Sequence, residues 1–556
     1  SLGAVNVTND GVLIFDRSDG AIMSGAISGT GSVVQTGAGI LTLAGANSYS
    51  GNTTIQNGTL LAASSSALGS TAGNTVITNG GTLDLNGNNL SAEPVLVSGW
   101  GVNSNGAVIN SGAAQLHALA NVTLTGDTAF GGYGNWLASG NPGRWDIRGS
   151  GTTLSTDGHP WNLYKVGSNQ VSIVGADVDT NLANIDVQQG MLGFEAGSTS
   201  MGNPADDLIV RTGATLEFYQ GSASANSYTK QFILYGGGDT PCITNWSGGG
   251  SSTLSGLMIL NGPCVIGVNG TSFTNNCAII GGGSLIKGGA KPLVLGGQNN
   301  YTGNTTVSGG TMLLQGNGSI LHSAVITVAA GAALDASGRS DTKLTLAGRQ
   351  TLTGNGAVSG IVQVGAGATL APGTGIGMLT FSTNLVLSSG STTVMEINKT
   401  VSPSNDLAQV AGDVSYGGTL VITNVGAVSF AAGDSFKLFN AAEYSGAFTN
   451  IVPAIPGINL AWDTNALANG VLSVVSSPTP PPKFGGMNFT GGNLIFSGGN
   501  GVPDWPYYVL ISTNLNAPMT NWTIVATNAF DSEGKFIFIN SGGTDVPQMF
   551  YRLKLP

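Results

Sequence analysis

Charged side chains are scarce in this sequence. Asp, Glu, Lys and Arg make up only 8% of its 556 residues, and 28 acidic residues outnumber 17 basic ones, for a net charge of −11. The basic residues form no cluster, which argues against nucleic acids and anionic membrane surfaces as partners. No apolar run approaches the ~20 residues that a transmembrane helix needs, so we expect no membrane span.

Cysteine and histidine are nearly missing as well. Neither residue type follows a zinc-ligand spacing, and the P-loop, G-x-S-x-G, H-E-x-x-H and calcium-binding G-G-x-G-x-D patterns are absent. We therefore expect neither a metal site nor a cofactor. The few residues of these two types are Cys242, Cys264, Cys277, His117, His159 and His322.

Glycine, in contrast, is abundant. The chain has 89 glycines but lacks the strict every-third spacing of collagen. Hydrophobic residues make up 41% of the chain, which is too many for a disordered protein. Many short strands, joined by turns rich in glycine and asparagine, account for this composition better.

One stretch of the sequence occurs twice. Residues 37–62 read GAGILTLAGANSYSGNTTIQNGTLLA, and residues 289–314 align with them without a gap as GAKPLVLGGQNNYTGNTTVSGGTMLL. Leu41 and Leu43 alternate with polar or small residues, as in a strand with one buried face. Gly51 lies in a segment whose residue types are typical of a turn. Such a strand–turn unit cannot bury its apolar stripe alone, whereas stacked copies can, which predicts a β-solenoid.

The alternation also predicts which side chains form the solenoid core. The residues that we expect to point inward are Leu41, Leu43, Ile55, Leu61, Leu293, Leu295, Val307 and Leu313.

The repeated pattern, G-x-LTL-x-G-x-N-x-Y-x-G-x-TT-x-x-x-GTL, resembles the autotransporter-associated β-strand repeat of secreted bacterial passenger domains. The resemblance implies a right-handed parallel β-helix, a location outside the cell or on the bacterial surface, and a role in adhesion or surface structure. That family ends in a long membrane β-barrel, whereas here only a small module follows the repeats. The start at Ser1 fits a mature chain without its signal peptide, or a trimmed one.

We divide the chain into four parts. Residues 1–26 read as entry strands or a cap, 27–475 as the solenoid shaft, 476–483 as a proline-rich linker, and 484–556 as a small antiparallel β-sandwich. At about 22–25 residues per rung, the shaft has roughly 18–20 rungs.

An irregular segment interrupts the repeats between residues 91 and 250. Around residues 131–165 it gathers charges and tryptophans, and exposed aromatic rings beside Asp or Asn can stack on sugar rings and bind their hydroxyls. The alternative is that the rings fill a wider rung, because aromatic side chains are more often packing elements than ligand platforms. The candidate ligand-binding residues are Trp136, Trp145, Asp157, His159 and Trp161.

Catalysis is a further alternative. Parallel β-helices include polysaccharide-degrading enzymes, whose sites need converging carboxylates. The acid pairs in this sequence are Asp177 with Asp179 and Asp206 with Asp207, and a pair of acids alone is more often a solvated loop feature. We therefore expect a non-enzymatic protein without catalytic residues.

Two cysteines lie about one rung apart. Cys242 and Cys264 are therefore expected on adjacent turns, within disulfide reach. The alternative is a pair of reduced thiols that pack as small hydrophobes. The expected secretion of the chain favours the disulfide.

The function that this sequence predicts is that of an extracellular structural or adhesive rod. A surface with so little charge leaves little repulsion between neighbouring rods, and the β-prone segment 4–15 could pair with a second chain. The self-assembling subunit of a fibre or surface layer is one form of this prediction, and an adhesin that binds extracellular glycans is the other.

Overall fold

The computed structural model describes residues 3–221, 225–237, 239–477, 481–541 and 548–555. It confirms the predicted all-β fold, since the helical elements among these residues are three short 3-10 turns, Val102–Ser104, Asn465–Asn469 and Met519–Asn521. The chain forms two compact units. The first comprises residues 1–428, 436–452 and 467–471, and the second comprises 429–435, 453–466 and 472–556.

The first unit is a parallel β-solenoid of about 18 turns, as predicted. Each strand pairs in parallel with a strand of the next turn, so that Val33 lies beside Thr53 and Thr53 lies beside Thr75. The pairing begins with a parallel bridge between Gly3 and Met23 and continues with Val7 beside Ile27, so the N-terminal residues already form part of the solenoid.

The turns stack into long ladders. The 19-stranded sheet contains Val12–Phe15, Ala21–Met23, Ser32–Gln35, Ile40–Leu43, Thr53–Ile55, Gly58–Ala62, Thr75–Ile77, Gly81–Asp84, Pro94–Gly99, Val108–Ile109, Asn121–Phe130, Thr153–Ser155, Leu163–Lys165, Asp177–Val178, Ile185–Val187, Asp207–Val210, Gln231–Leu234, Met258–Leu260 and Ile279–Gly281. A two-stranded sheet at the start contains Val7–Thr8 and Ile27–Ser28.

A second long ladder, the 15-stranded sheet, carries the candidate site described below. Its strands are Gln115–Leu119, Trp145–Ile147, Gln170–Val174, Met191–Glu195, Thr215–Tyr219, Ile243–Asn245, Cys264–Val268, Leu285–Gly288, Thr305–Val307, Val325–Val328, Thr351–Gly354, Thr369–Pro372, Thr392–Ile397, Thr419–Asn424 and Asn450–Val452.

Two shorter ladders complete the later turns. The 10-stranded sheet contains Ala225–Tyr228, Ser251–Leu254, Phe273–Asn275, Leu293–Leu295, Thr311–Leu314, Ala333–Asp335, Ala357–Ser359, Met378–Phe381, Leu407–Val410 and Phe439–Asn440. The 5-stranded sheet contains Lys343–Leu346, Ile361–Val364, Leu385–Leu387, Val414–Tyr416 and Tyr444–Gly446.

Alternation along the strands places an aliphatic core inside the solenoid. Six of the eight side chains predicted to point inward are buried; they are Leu41, Leu43, Ile55, Leu293, Leu295 and Val307. The prediction was wrong for Leu61 and Leu313, which point outward and are only half-buried. Their strands are shifted by one residue, so that Leu60 and Met312 fill the core positions.

An asparagine of the repeat joins successive turns. The Asn47 carboxamide accepts a hydrogen bond from the Ile27 N–H at 2.8 Å and donates one to the Ala67 carbonyl at 2.7 Å. Asn299 makes the same pair of bonds in the second copy, to Ile279 at 3.1 Å and to residue 319 at 3.0 Å. Each of these side chains therefore connects three turns of the solenoid.

A tyrosine and a threonine of the repeat also meet inside it. The hydroxyl of buried Tyr49 lies 2.5 Å from the hydroxyl of Thr53, and Tyr301 and Thr305 repeat the contact at the same distance. The residues that define the repeated pattern are thus bound to one another within the scaffold.

The second unit contains the predicted C-terminal β-sandwich. It begins with an antiparallel pairing of Leu460–Asp463 with residues 473–476 of Val471–Ser476. Two three-stranded antiparallel sheets follow, Lys483–Thr490, Asn493–Gly499 and Phe536–Asn540 in one, and Pro506–Ser512, Thr523–Ala529 and Phe550–Lys554 in the other. Their core contains Phe496, Tyr507, Val509, Phe530, Phe536 and Phe538. The predicted linker at 476–483 lies partly outside the described residues.

The remaining short strand, Ser435–Lys437, is the third strand of the sheet that contains Leu460–Asp463 and Val471–Ser476.

Candidate functional site

Trp145 is part of the solenoid core and does not belong to an exposed ligand platform. Its side chain is fully buried, packs edge-to-face on Phe130 with ring centroids 5.1 Å apart, and donates its indole N–H to the Gly131 carbonyl at 3.1 Å. The prediction of Trp145 as a ligand-binding residue is therefore corrected. The physical reason for its burial is the alternation of side chains along the strand Trp145–Ile147, which directs Trp145 inward and Asp146 outward.

Asp157, His159 and Trp161 lie together in one turn at the surface. Asp157 and His159 are exposed, Trp161 is half-buried, and the rings of His159 and Trp161 lie 5.6 Å apart. This part of the predicted window therefore does present an aromatic pair to solvent.

Asp179 holds this turn in place. Its carboxylate accepts hydrogen bonds from the backbone N–H groups of Thr156 at 3.0 Å and Gly158 at 3.2 Å, and from Asn181 N–H at 2.9 Å. Burial alone would raise the pKa of the Asp179 carboxyl, but these hydrogen bonds hold that pKa below its usual range. Asp179 is thus a structural carboxylate, bound to backbone rather than paired with Asp177.

Trp136 lies in a separate loop that precedes Trp145. It is half-buried, while its neighbours Tyr133 and Leu137 are among the most exposed apolar side chains of the described residues. The loop is attached to the 15-stranded sheet by Asn141, whose carboxamide donates to the Gln170 side chain at 2.5 Å.

Next to this loop, the outer face of the 15-stranded sheet carries a cluster of ion pairs. Arg144 donates to both oxygens of Asp146, at 2.8 and 3.0 Å, and to Glu195 at 2.8 Å. Arg148 contacts Asp146 at 2.8 Å and Glu195 at 3.3 Å. We call these four residues, together with Glu217, the charge cluster.

Glu217 completes the charge cluster one rung further along. It accepts a hydrogen bond from the Gln170 amide at 2.6 Å, and the same amide lies 3.4 Å from Glu195. Burial, and next the neighbouring Glu195 charge, raise the pKa of Glu217 above that of an ordinary glutamate. Gly193 lies between the two carboxylates, where a Cβ atom would approach a Glu217 oxygen at 3.0 Å.

Two half-exposed aromatic side chains continue the surface away from the charge cluster. Tyr219, 37% exposed, is the register partner of Glu195 on the next turn. Trp246, 49% exposed, directly follows Asn245, the partner of Phe218, and so lies one turn beyond Tyr219. Neither was singled out from the sequence as a ligand residue, because only the register brings residues 148, 195, 219 and 246 into one row.

The other acidic residues considered as possible catalytic pairs accept hydrogen bonds from neighbouring side chains. Asp206 accepts from the Asn203 side chain at 2.8 Å, and Asp207 accepts from the Gln231 side chain at 2.7 Å. Asp177 accepts from the Thr199 hydroxyl at 3.2 Å.

The three cysteines are buried free thiols, so the predicted bond between Cys242 and Cys264 is not formed in this structure. The two thiols do lie side by side: a hydrogen bond with Cys264 lowers the pKa of Cys242, and the same contact raises that of Cys264. The register pairs Ile243 with Ile266, so Cys264 is displaced by one residue from the position level with Cys242.

Two findings on known proteins agree with this architecture. Residues 33–62 and 285–314 match the family described as Passenger-associated-transport-repeat. Over 321 residues the chain is 27% identical to a protein named Adhesin BmaC autotransporter from Brucella suis biovar 1 (strain 1330). This chain contains passenger-type repeats.

The matched segments contain Asn47, which bonds to the neighbouring turns, and Tyr49 and Thr53, whose hydroxyls meet within one turn, together with their counterparts in the second copy. The passenger-type pattern is thus made of residues that hold the solenoid together. The similarity to the adhesin covers 56% of this chain but only 8% of that relative. Within the described residues of the passenger-type chain, no helix has the length and apolarity to cross a membrane, and no group of three or more His, Cys, Asp or Glu side chains is arranged so that it could hold a metal ion.

Proposed function

We propose that this passenger-type chain is a non-enzymatic adhesive and structural protein, secreted or held at the bacterial cell surface. The observation that carries the proposal is the use of the repeat's polar residues, such as Asn47 and Thr53, to bond one turn to the next. A repeat built this way supplies a scaffold, and function is left to the outer surface. The relative named as an adhesin supports the adhesive role.

The state of the acidic residues supports a role without catalysis. A general acid or base needs a carboxyl group free to exchange a proton with the substrate. Here Asp179 accepts several backbone N–H groups, Asp206 and Asp207 each accept from a side-chain amide, and both oxygens of Glu195 accept from arginines.

Binding of glycans is the specific form that we propose for the adhesive role. The exposed turn with Asp157, His159 and Trp161 supports it, because a ring pair next to polar groups suits a sugar surface. Trp136, in the neighbouring loop, is the remaining member of this proposed region.

Self-assembly into a fibre or surface layer is the specific form that we propose for the structural role. It is supported by the strand Val12–Phe15, which pairs with Ser32–Gln35 on one side and has no second partner among the described residues. Its outward side chains Val12 and Ile14 are 62% and 57% exposed. Open, apolar strand edges pair readily with further chains.

An adhesion assay tests the proposed function. Fluorescent beads coated with the purified chain should adhere to polysaccharide-coated surfaces or to cells more than beads coated with an equally acidic globular protein. The released sugars should stay at background over the same incubation. Equal adhesion of both bead types would refute the adhesive role, and steady release of reducing sugar would refute the non-enzymatic one.

A further inference from the structure

A row of side chains crosses five turns of the 15-stranded sheet on its outer face. Ile147 pairs with Ile173, so the residues that follow them, Arg148 and Val174, also lie side by side on adjacent turns. Val174 in turn pairs with Glu195, and the following turns place Tyr219 and then Trp246 at the same register position. We call Arg148, Glu195, Tyr219 and Trp246 the outer row. At ~4.8 Å per turn, it is about 19 Å long.

We propose that the outer row binds an extended, neutral polysaccharide chain that lies along the solenoid. The inference rests on the proposed adhesive function and names its ligand class and contact surface.

The aromatic residues supply the first argument. Tyr219 and Trp246 are each exposed over more than a third of their surface, one turn apart, on a protein whose surface is otherwise rich in Gly, Ser, Thr and Asn. Aromatic faces stack on the apolar C–H faces of sugar rings, while the phenol and indole groups retain a hydrogen-bonding tip. Two such rings on successive turns suit a ligand that repeats along the axis.

Arg148 supplies the second argument. Its guanidinium is fixed by Asp146 at 2.8 Å and Glu195 at 3.3 Å, and its side chain stays 28% exposed. Its Nε–H has no hydrogen-bond partner in the part of the chain that the structure describes, although the atom is buried. The Nε atom itself is shielded, but a guanidinium carries five N–H donors, and those on its exposed part can donate to a ligand hydroxyl or to a water that the ligand retains. Because two carboxylates hold the group, little side-chain entropy is lost on binding.

The charges of the cluster favour a neutral ligand. Asp146, Glu195 and Glu217 face only two guanidinium groups, those of Arg144 and Arg148, so no positive charge is left over for an anionic chain. The whole protein is acidic as well, with a net charge of −11, which would repel polyuronates at a distance.

Binding fits this surface better than hydrolysis does. Glu195 uses both oxygens to accept from the two arginines, and Glu217 accepts from Gln170. The carboxylates therefore serve as positioning residues that hold Arg148, rather than as an acid and a base directed at a glycosidic bond.

Affinity electrophoresis of the full chain tests the proposal. Gels would contain a neutral polysaccharide, either soluble β-glucan, xylan or galactomannan, or an anionic one, polygalacturonate or alginate. We expect at least one neutral polymer, and neither anionic one, to retard the protein. The double substitution Tyr219→Ala and Trp246→Ala should weaken the retardation by about tenfold or more, since truncated aromatic anchors dominate such losses.

The controls separate this surface from others. Tyr235→Ala removes a tyrosine of similar exposure on the 19-stranded sheet and should leave retardation unchanged. Arg148→Gln should weaken retardation, and Arg148→Lys should restore part of it. Thermal unfolding should be unaltered in the aromatic variants, because both rings are half-exposed.

Four results would overturn the proposal. They are no retardation by any neutral polymer, unchanged retardation of the double variant, loss of retardation with Trp161→Ala instead, and release of reducing sugar that Glu217→Gln abolishes. Beads that still adhere when coated with the double variant would leave the adhesive function in place and refute only this surface.

Discussion

At the scale of single residues, the asparagine of the repeat stabilises the solenoid by bonding backbone groups of neighbouring turns. Asn47→Ala would leave the buried Ile27 N–H and the Ala67 carbonyl without partners. We expect a loss of about 2–4 kcal/mol in the free energy of unfolding, since each unsatisfied buried group costs about 1–3 kcal/mol. Urea unfolding of the purified variant measures it.

Asn57→Ala is the matched control, because Asn57 is exposed and, among the described residues, its side chain accepts a hydrogen bond from the adjacent Gly58 N–H at 3.0 Å and from no other turn. A loss for Asn47→Ala no larger than for this control would contradict the role assigned to Asn47.

A buried lysine, Lys287, is a second polar side chain that stabilises the solenoid by bonding to backbone groups. Lys287 takes the place in the second repeat that Gln35 takes in the first. Each side chain donates to a carbonyl close to it in the sequence and to a carbonyl of the next turn. Burial lowers the pKa of Lys287 from 10.5 to about 8. Over the window between these values the unfolded chain binds more protons than the folded one, so stability rises with pH there.

Lys287→Gln should remove the part of the increase in stability with pH that comes from this lysine. The glutamine amide still offers N–H donors to the carbonyls that Lys287 contacts. Chemical unfolding at intervals from pH 7.5 to 11 gives the profile, and the exposed Lys291→Gln should retain the wild-type slope. Parallel profiles for the Lys287 variant and the wild type would exclude a buried lysine that titrates in this window.

The thiols give a third prediction at this scale. Cys242 and Cys264 are in contact, whereas burial raises the pKa of Cys277 to about 12. Mild oxidation should therefore join Cys242 to Cys264 and spare Cys277, because the thiolate is the reactive form. Peptide mass spectrometry without reduction identifies the pair; a bond to Cys277, or three free thiols after oxidation, would contradict this expectation.

At the scale of the element, the phase of a strand decides which side chains enter the core. In Gly58–Ala62 two leucines are adjacent, and the alternation read from the sequence took Leu61 as the buried one. Gly58 has a positive φ of 69° and packs under the Gly37 and Gly39 carbonyls, which sets the strand with Leu60 inward. This close approach between turns cannot be seen in the sequence of one turn.

The paired substitutions Leu60→Asp and Leu61→Asp test that phase. A charge at the fully buried Leu60 position has no partner in an aliphatic stack and should cost more than about 3 kcal/mol, whereas Leu61→Asp should cost less than about 1 kcal/mol. Thermal melts of the two variants compare the effects directly, and the reverse order would place the strand in the other phase.

The same reasoning explains what could be predicted of the fold and of the candidate site. Two-residue alternation and glycine-rich turns are local, and together with the internal repeat they were sufficient to predict an all-β solenoid. The parallel direction of its strands was an expectation from the family resemblance. The charge cluster is not local, since Arg144 and Glu195 are 51 residues apart and their contact depends on the lengths of the intervening turns. The burial of Trp145 likewise follows from its place in a strand, which the irregular sequence around it obscured.

At the scale of the whole molecule, the strand Val12–Phe15 presents an apolar edge that pairs with no strand on its outer side among the described residues. Beside the exposed Val12 and Ile14, residues 13–17 and 21–23 line a depression of about 500 Å³, with core-facing Leu13 and Phe15 at its wall. Burying this surface against a second chain would remove apolar area from water and pair the free strand edge. Contacts between unlike surfaces of the solenoid would build filaments, unless the rotation between copies closes them into a ring.

Sedimentation of the intact chain at rising concentration tests this assembly. The weight-average mass should increase with concentration for the wild type and stay monomeric for the double variant Val12→Lys and Ile14→Lys, since lysines on an edge strand oppose pairing. Val428→Lys with Val452→Lys, two exposed valines of the same unit away from the first rung, should assemble as the wild type does. A wild-type mass that remains that of a monomer at high concentration would mean that the first rung does not drive assembly, and would leave adhesion by single rods as the working form of the protein.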